Sequence, residues 1–341
     1  MQMTFRWYGK DDPIPLKHIA QIPCISGIVS ALYDPPVGQL WPKDKLMELS
    51  RCISEAGLGF EVVESLPVHE HIKLGLSDRD KLIESYIKNL QTLSECGIKV
   101  LCYNFMPVFD WTRTRLDNPL KDGSLALSYD QDEIKAIDPQ NKSLSLPGWD
   151  ESYTRDELLG LMDQYQRLGK DGLWENLEYF LKAVVPAAKK YGICLAIHPD
   201  DPPWDIFGLP RIITGGDSIR RLLSIVNERE NGITFCTGSL GPDTDNNLIE
   251  LAGELAPRIH FAHLRNIKIT GNRKFTECGH CDPEGSLDLK GIIKALKRGG
   301  FDGYIRPDHG RAIWGESGRP GYWLYDRALG ACYLYGLWQA T

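Results

Sequence analysis

Four side chains able to bind a metal stand at corresponding places in this sequence: His198, Cys236, His263 and Asp308. Each closes a short apolar run, namely Ile193 to His198, Ile233 to Cys236, Ile259 to His263 and Tyr304 to Asp308. The runs are rich in β-branched or aromatic residues, the pattern of strands buried on both faces. Any one of these residues alone is more often a hydrogen-bonded core or surface group than a ligand, so the conjunction carries the argument. Imidazole, thiolate and carboxylate donors together suit Mn²⁺, Fe²⁺, Co²⁺ or Zn²⁺ better than Mg²⁺, which rarely takes a thiolate. Four protein ligands around a tetrahedral ion would make a closed, structural site. Mn²⁺ and Fe²⁺ can widen to five or six ligands, which lets a substrate carboxylate or hydroxyl enter while all four side chains stay bound. The pattern therefore predicts one catalytic metal site and favours those two ions.

Side chains so far apart in sequence need a scaffold that brings strand ends together. The intervals between them, 38, 27 and 45 residues, leave room for a helix between successive strands, as parallel pairing requires. Four further strands are predicted around Phe5 to Tyr8, Ile28 to Tyr33, Phe60 to Glu64 and Val100 to Phe105, which makes eight. Helical spacing of apolar residues is clearest from Lys43 to Ala56, Arg79 to Cys96, Trp174 to Tyr191, Ser218 to Arg229 and Leu287 to Arg298. Gly57, Gly97, Gly192 and Gly232 follow four of these stretches and are read as left-handed helix ends. This alternation is the rhythm of a (β/α)₈ TIM barrel, whose active site lies at the carboxyl ends of the strands. Residues 106–170 are too long for an ordinary loop and are read as an insertion after the fourth strand that forms a lid or an oligomer contact. With no internal repeat or linker, residues 1–341 are expected to form one decorated barrel domain, a two-domain split being the lesser alternative.

Composition bounds the function. The 341 residues are 42% hydrophobic and 25% charged with a net charge of −7, an ordinary globular balance that disfavours nucleic acid as a partner. No apolar stretch reaches membrane-spanning length, and Met1 to Gly9 has no basic segment followed by a long apolar core, so a cytoplasmic enzyme without membrane association is expected. Nine cysteines scattered through predicted helices and strands do not form a secreted disulfide framework. Cys278-Gly279-His280-Cys281 resembles half of a zinc knuckle or a redox pair, but no matching half lies nearby, and a loop at the active site containing His280 is the preferred reading. No phosphate-binding glycine pattern points to a nucleotide cofactor.

Beyond the strand-end residues, the chain resembles the D-mannonate dehydratase family of the xylose-isomerase-like barrel group. The likeness runs from Thr4-Phe5-Arg6-Trp7-Tyr8-Gly9 through Ala31-Leu32-Tyr33-Asp34 and Val63-Glu64-Ser65 to the stretch from Cys102 to Thr114. It continues in His263-Leu264-Arg265-Asn266 and Arg306-Pro307-Asp308-His309-Gly310 and so covers nearly the whole chain. The segment Cys278 to Cys281 is its least typical part. The resemblance implies a hydro-lyase of hexuronate and glucuronate catabolism that converts D-mannonate to 2-dehydro-3-deoxy-D-gluconate with Mn²⁺ or Fe²⁺. It assigns the metal to His198, Cys236, His263 and Asp308.

Such a dehydration needs a base for the C2 proton, stabilisation of an enediolate and an acid for the departing C3 hydroxyl. His309, beside the ligand Asp308, is the first acid/base candidate. Tyr325 is the second, with helix packing as its structural alternative. Arg6, Arg265, Arg306 and Arg311 are candidates to fork onto the substrate carboxylate or hydroxyls, or else to form structural ion pairs. Tyr8, Asn104 and Asn266 are candidate hydroxyl contacts, and Trp7 and Trp314 candidate pocket walls. Aromatic-rich ends point to a homo-oligomer, in its simplest form a dimer. Three alternatives remain at this level: a sugar isomerase or epimerase, a non-catalytic sugar-acid-binding protein, and, disfavoured by the acidic balance, a phosphodiesterase acting on DNA.

Overall fold

A computed structural model describes residues 1–137 and 154–341. Eight parallel strands close into a barrel: β1 (Gln2–Arg6), β2 (Gly27–Ser30), β3 (Gly59–Glu64), β4 (Val100–Tyr103), β7 (Cys194–Ile197), β8 (Asn231–Cys236), β9 (Ile259–His263) and β12 (Tyr304–Arg306). β12 returns to pair with β1, so no barrel edge is left open. All eight predicted strands are present. Side chains alternate along each strand, which divides the apolar residues between two cores. Val29, Val62, Val100, Ala196 and Phe261 fill the barrel interior, while Ile28, Val63, Leu101, Leu195 and Ala262 face outward into the large cluster shared with the helices.

The predicted helices appear as Lys43–Glu55, Arg79–Glu95, Gly216–Ile225 and Leu289–Arg298, with one much longer than expected, Arg155–Tyr191. Its extra turns start at a capping box between Thr154 and Glu157 and cross a kink at Gly169. A further helix, Leu324–Ala340, ends the chain. Gly57, Gly97 and Gly192 take the left-handed conformation predicted for them. Gly232 does not: it lies inside β8, and the preceding helix already ends at Ile225. Close packing explains this glycine, because a Cβ there would sit 2.2 Å from the His260 ring and 2.5 Å from the Arg258 carbonyl oxygen.

The described part of residues 106–170, the expected insertion after the fourth strand, carries regular structure of its own. The segment contributes β5 (Arg115–Pro119) and β6 (Leu125–Asp130), which join β10 (Asn266–Gly271) and β11 (Lys274–Cys278) in an antiparallel sheet of order β10-β11-β6-β5. The pairing of Tyr129 with Phe275 spans more than a hundred residues and has no local signature. Residues 138–153 of the insertion lie outside the described residues. Since β10 begins three residues after the end of β9, the small sheet sits directly above the ligand-bearing end of the barrel. Among the described residues no helix is long and apolar enough to cross a membrane.

Candidate active site and metal centre

The four candidate ligands meet at the carboxyl ends of neighbouring strands. Cys236 ends β8 and His263 ends β9, and the register sets the two directly beside each other. His198 follows the last residue of β7, and Asp308 stands two residues beyond β12. One donor atom from each of His198, Cys236 and His263 lies within 4.8 Å of the others. Asp308 closes the group, with its carboxylate 3.5 Å from the Cys236 Sγ and 3.7 Å from the His263 Nδ1. Its backbone is held at φ 61°, a strained value for a residue other than glycine and one that recurs where a side chain must be aimed.

The local electrostatics suit a cation. The His198 Nδ1 lies 2.7 Å from the Pro199 carbonyl oxygen; donation there leaves Nε2 as the lone pair. Burial pushes the Cys236 thiol up to about 12, and the neighbouring Asp308 adds to the effect. Burial, reinforced by Arg306, pushes His263 down to about 3, so its ring is neutral. Burial opposes charge on Asp308, yet Arg306 and Arg265 hold it well below the usual carboxylate range. A divalent ion among these atoms would reverse the penalty on the thiolate and meet imidazoles that burial already holds neutral. Two imidazoles, a thiol and a carboxylate around one point therefore fit a transition metal.

A cavity of about 720 Å³ opens beside this group, ample for a six-carbon acid. Among the predicted site residues Arg6, Tyr8, Asn104, His198, Arg265, Arg306, Asp308 and His309 line it. The Arg6 Nε has no hydrogen-bond partner among the described residues, although the residue is buried, so it keeps a donor for a ligand. His309 lies 3.2 Å through Nε2 from the Tyr322 hydroxyl, and its Nδ1 is 3.0 Å from the Glu277 carboxylate. Arg265 also approaches Nδ1 closely. A neutral imidazole can either donate to the acid or accept from the arginine there; donation to the ionised Glu277 is the stronger bond. Burial opposes charge on Glu277 as well, but Arg265, His309 and Arg113 hold its carboxyl down at about 2.

Three of the candidates for proton transfer or substrate contact, Tyr325, Arg311 and Asn266, are not brought to the cavity. Tyr325 starts the last helix, is 43% exposed and packs against Trp314; Tyr322, three residues earlier, takes the inward place. Arg311 is committed to Asp326 and Asp122, tying the insertion to the last helix. The Asn266 side chain accepts from the Ile267 and Leu287 backbone amides and braces the turn around Gly285. Trp7 is buried, donating from its indole to the Ile14 carbonyl, and Trp314 is exposed, so neither is a wall of the cavity. The preferred reading of His280 is also corrected: it lies behind the site, 2.7 Å from the Pro307 carbonyl oxygen, and does not line the cavity. Among the described residues, Cys278 and Cys281 belong to no group of side chains placed to hold a metal.

Glu64, Asp201, Tyr322 and Arg319 also line the cavity, and Glu277 stands behind His309. Glu64 ends β3 just as the ligands end theirs, so the strand-end rule was enough to find it. Tyr322 and Glu277 carried no such signal, one lying in an irregular loop and the other on a strand of the small sheet.

A sequence model of the family described as D-mannonate dehydratase (UxuA) matches residues 1–341. The chain is 56% identical over 337 residues to mannonate dehydratase of Oceanobacillus iheyensis, covering 99% of this chain and 97% of that one. It is 52% identical over 344 residues to that of Streptococcus uberis, covering 100% and 99%. The crystal structure of mannonate dehydratase from Streptococcus suis serotype 2 matches at a TM-score of 0.93 and 45% identity, covering 100% of this chain and 94% of that chain. D-psicose 3-epimerase from Clostridium cellulolyticum H10, at a TM-score of 0.57 and 12% identity over 100% of this chain and 99% of that one, shares the fold alone. With a family model matching residues 1–341 and relatives 52–56% identical over essentially the whole chain, the chain belongs to the D-mannonate dehydratase family.

Proposed function

We propose that this protein removes water from D-mannonate to give 2-dehydro-3-deoxy-D-gluconate, with one Mn²⁺ or Fe²⁺ held by His198, Cys236, His263 and Asp308. The observation that carries the mechanism is the 3.2 Å contact between the His309 Nε2 and the Tyr322 hydroxyl, in the cavity that Asp308 also lines. When bound, the metal supplies Lewis-acid polarisation of the substrate carboxylate and an adjoining hydroxyl, stabilising charge that develops at C2. The thiolate donor argues against Mg²⁺, and the room left for substrate atoms argues against a closed tetrahedral site.

The side chains do the rest. Arg6 and Arg306 present guanidinium groups to the acid end of the substrate, while Tyr8 and Asn104 orient its hydroxyls. One of His309 and Tyr322 takes the C2 proton as the C2 electron pair forms the new double bond. The other delivers a proton to the C3 oxygen, which leaves as water. The enol then becomes the 2-keto acid by gaining a proton at C3 and losing the proton of its C2 hydroxyl. Tyr322 replaces Tyr325 in this scheme because its hydroxyl, unlike that of the exposed helix residue, meets His309. Residues 1–341 act as one decorated domain in a cytoplasmic homo-oligomer, a dimer in its simplest form; light scattering and cell fractionation test assembly and location.

The deciding experiment incubates metal-stripped protein with D-mannonate under anaerobic conditions, with and without added Mn²⁺, and follows the product by mass and chromatography. Metal-dependent formation of a 2-keto-3-deoxy acid lighter by one water supports the reading. A product of unchanged mass would identify an isomerase or epimerase instead. Binding of the acid without turnover by folded, metal-loaded protein would leave only a binding role.

A further inference from the structure

The small sheet carries a carboxylate whose placement goes beyond what metal binding and fold require. Glu277 lies on β11, opposite Ile267 of β10, and is 3% exposed. Phe275, two residues earlier and therefore on the same face, stacks on Tyr129 and underlies the Arg113 guanidinium. This face of the sheet thus closes over the top of the barrel. It brings Glu277 within 3.0 and 3.1 Å of the His309 Nδ1 through its two carboxylate oxygens.

Burying a carboxylate is costly, so its partners indicate what it serves. Arg113 donates to Glu277 at 2.8 Å, and Arg265 stands 3.2 Å away. Both arginines already have other acidic partners. Arg113 makes a two-pronged bond with Asp201 at 2.8 and 3.0 Å, and Arg265 pairs with Asp201 at 2.7 Å and with Asp308 at 3.2 Å. Asp201 already bonds both guanidinium groups, so neither arginine depends on Glu277 as its one acidic partner. The partner left without another strong acceptor at Nδ1 is His309. Removal of Glu277 would let Nδ1 turn to the approaching Arg265 as an acceptor, which moves the ring proton to Nε2, the nitrogen that faces Tyr322.

We infer that Glu277 is a positioning residue for the reaction: it takes the Nδ1 hydrogen of His309 and thereby fixes the ring with Nε2 free toward Tyr322 and the substrate. The small sheet, assembled partly from the insertion, thus has a catalytic purpose as the mount for this carboxylate. The inference deepens the dehydratase reading and rests on it. Glu277 does not line the cavity, so its loss acts on the chemical step and leaves binding of the acid largely intact.

The test compares metal-loaded wild type, Glu277→Gln, His309→Asn and the double variant on D-mannonate, with metal content, the thermal midpoint and product mass measured for each. Glu277→Gln is expected to lower kcat by on the order of 10²–10⁴-fold, the range seen when the residue orienting a catalytic or ligating histidine is lost. KM should stay within about threefold, because substrate contacts are untouched. In single turnover the double variant should be no more than about threefold slower than His309→Asn, since the two act as one unit. If Glu277→Gln loses metal or unfolds, Glu277→Asp, which keeps the charge for the arginines and retracts it from His309, is read by the same criteria. Wild-type kcat in a folded, metal-loaded Glu277 variant, or an undiminished further loss in the His309→Asn background, overturns the inference while leaving the dehydratase reading intact. Full turnover by His309→Asn overturns it through its partner. Absence of the water-lighter product from wild type sinks the dehydratase reading itself, and the inference with it.

Discussion

Gly238 offers a sharp perturbation of the site because it does not itself line the cavity. It lies in the short helix Thr237–Leu240, two residues beyond the proposed ligand Cys236. A Cβ built there would stand 1.6 Å from the Arg265 Nε, 2.5 Å from Cζ and 2.6 Å from Cδ. Ordinary contact needs about 3.5 Å, so in Gly238→Ala the guanidinium must retreat by about 2 Å. The atoms in the way are mid-chain, and the head beyond them is tied to Asp201, Glu277 and Asp308. A retreat of that size breaks those pairs and leaves buried carboxylates uncompensated, at a cost of about 3–5 kcal/mol. Alanine returns at most about 1 kcal/mol through its better helix propensity. The expected net loss is therefore about 2–4 kcal/mol, read from urea unfolding of the metal-loaded protein. Misplacing Arg265 should also lower kcat by roughly 10²-fold. Gly253→Ala is the control: it sits in helix Leu248–Leu255 with its nearest neighbour at 3.9 Å, and should be neutral or stabilise by up to about 1 kcal/mol. Stability within about 0.5 kcal/mol of wild type together with unchanged kcat in Gly238→Ala would refute the reasoning.

Three further outcomes are expected. Cys236→Ser should lose most bound metal by elemental analysis, and full occupancy with normal activity in that variant would remove Cys236 from the ligand set. Tyr322→Phe should lower kcat by about 10²–10⁴-fold while Tyr325→Phe stays near wild type, and the reverse order would restore the helix residue to the proton-transfer role. His260, at the opposite end of β9 from the ligand, is pushed down to about 4 by burial despite its hydrogen bond to the Arg229 carbonyl. Its unfolded value is near 6.5, so the unfolded chain binds the extra proton first. The contribution is thus fully present above pH 6.5 and is lost as pH falls toward 4, by up to ~3 kcal/mol. Urea unfolding across that window should show the loss in wild type and not in His260→Gln; equal slopes would reject the assignment.

The parts of this protein governed by short-range rules were legible in the sequence. A buried parallel strand has to be a short apolar run, so all eight barrel strands could be read, and the closing of β12 on β1 follows from eight such runs separated by helices. Strand ends fall where the apolar run stops. That is why His198, Cys236, His263 and Asp308 could be grouped although 110 residues separate the first from the last. Where a residue belongs to a loop or to a sheet formed across the chain, its direction depends on partners with no sequence proximity. Tyr325 and Tyr322 differ by three positions, and only the packing of helix Leu324–Ala340 and the loop before it turns Tyr322 toward His309. Arg311 and Asn266 have the right chemistry in the right neighbourhood, but Asp326, Asp122 and the Leu287 amide engage them as framework. Glu277 became visible only through the pairing of β11 with β10 and β6, because long-range antiparallel register is set by two surfaces meeting. Periodicity along the chain thus determined the barrel and the donors at its mouth. Contact between distant segments decided which neighbouring side chains face one another in the cavity.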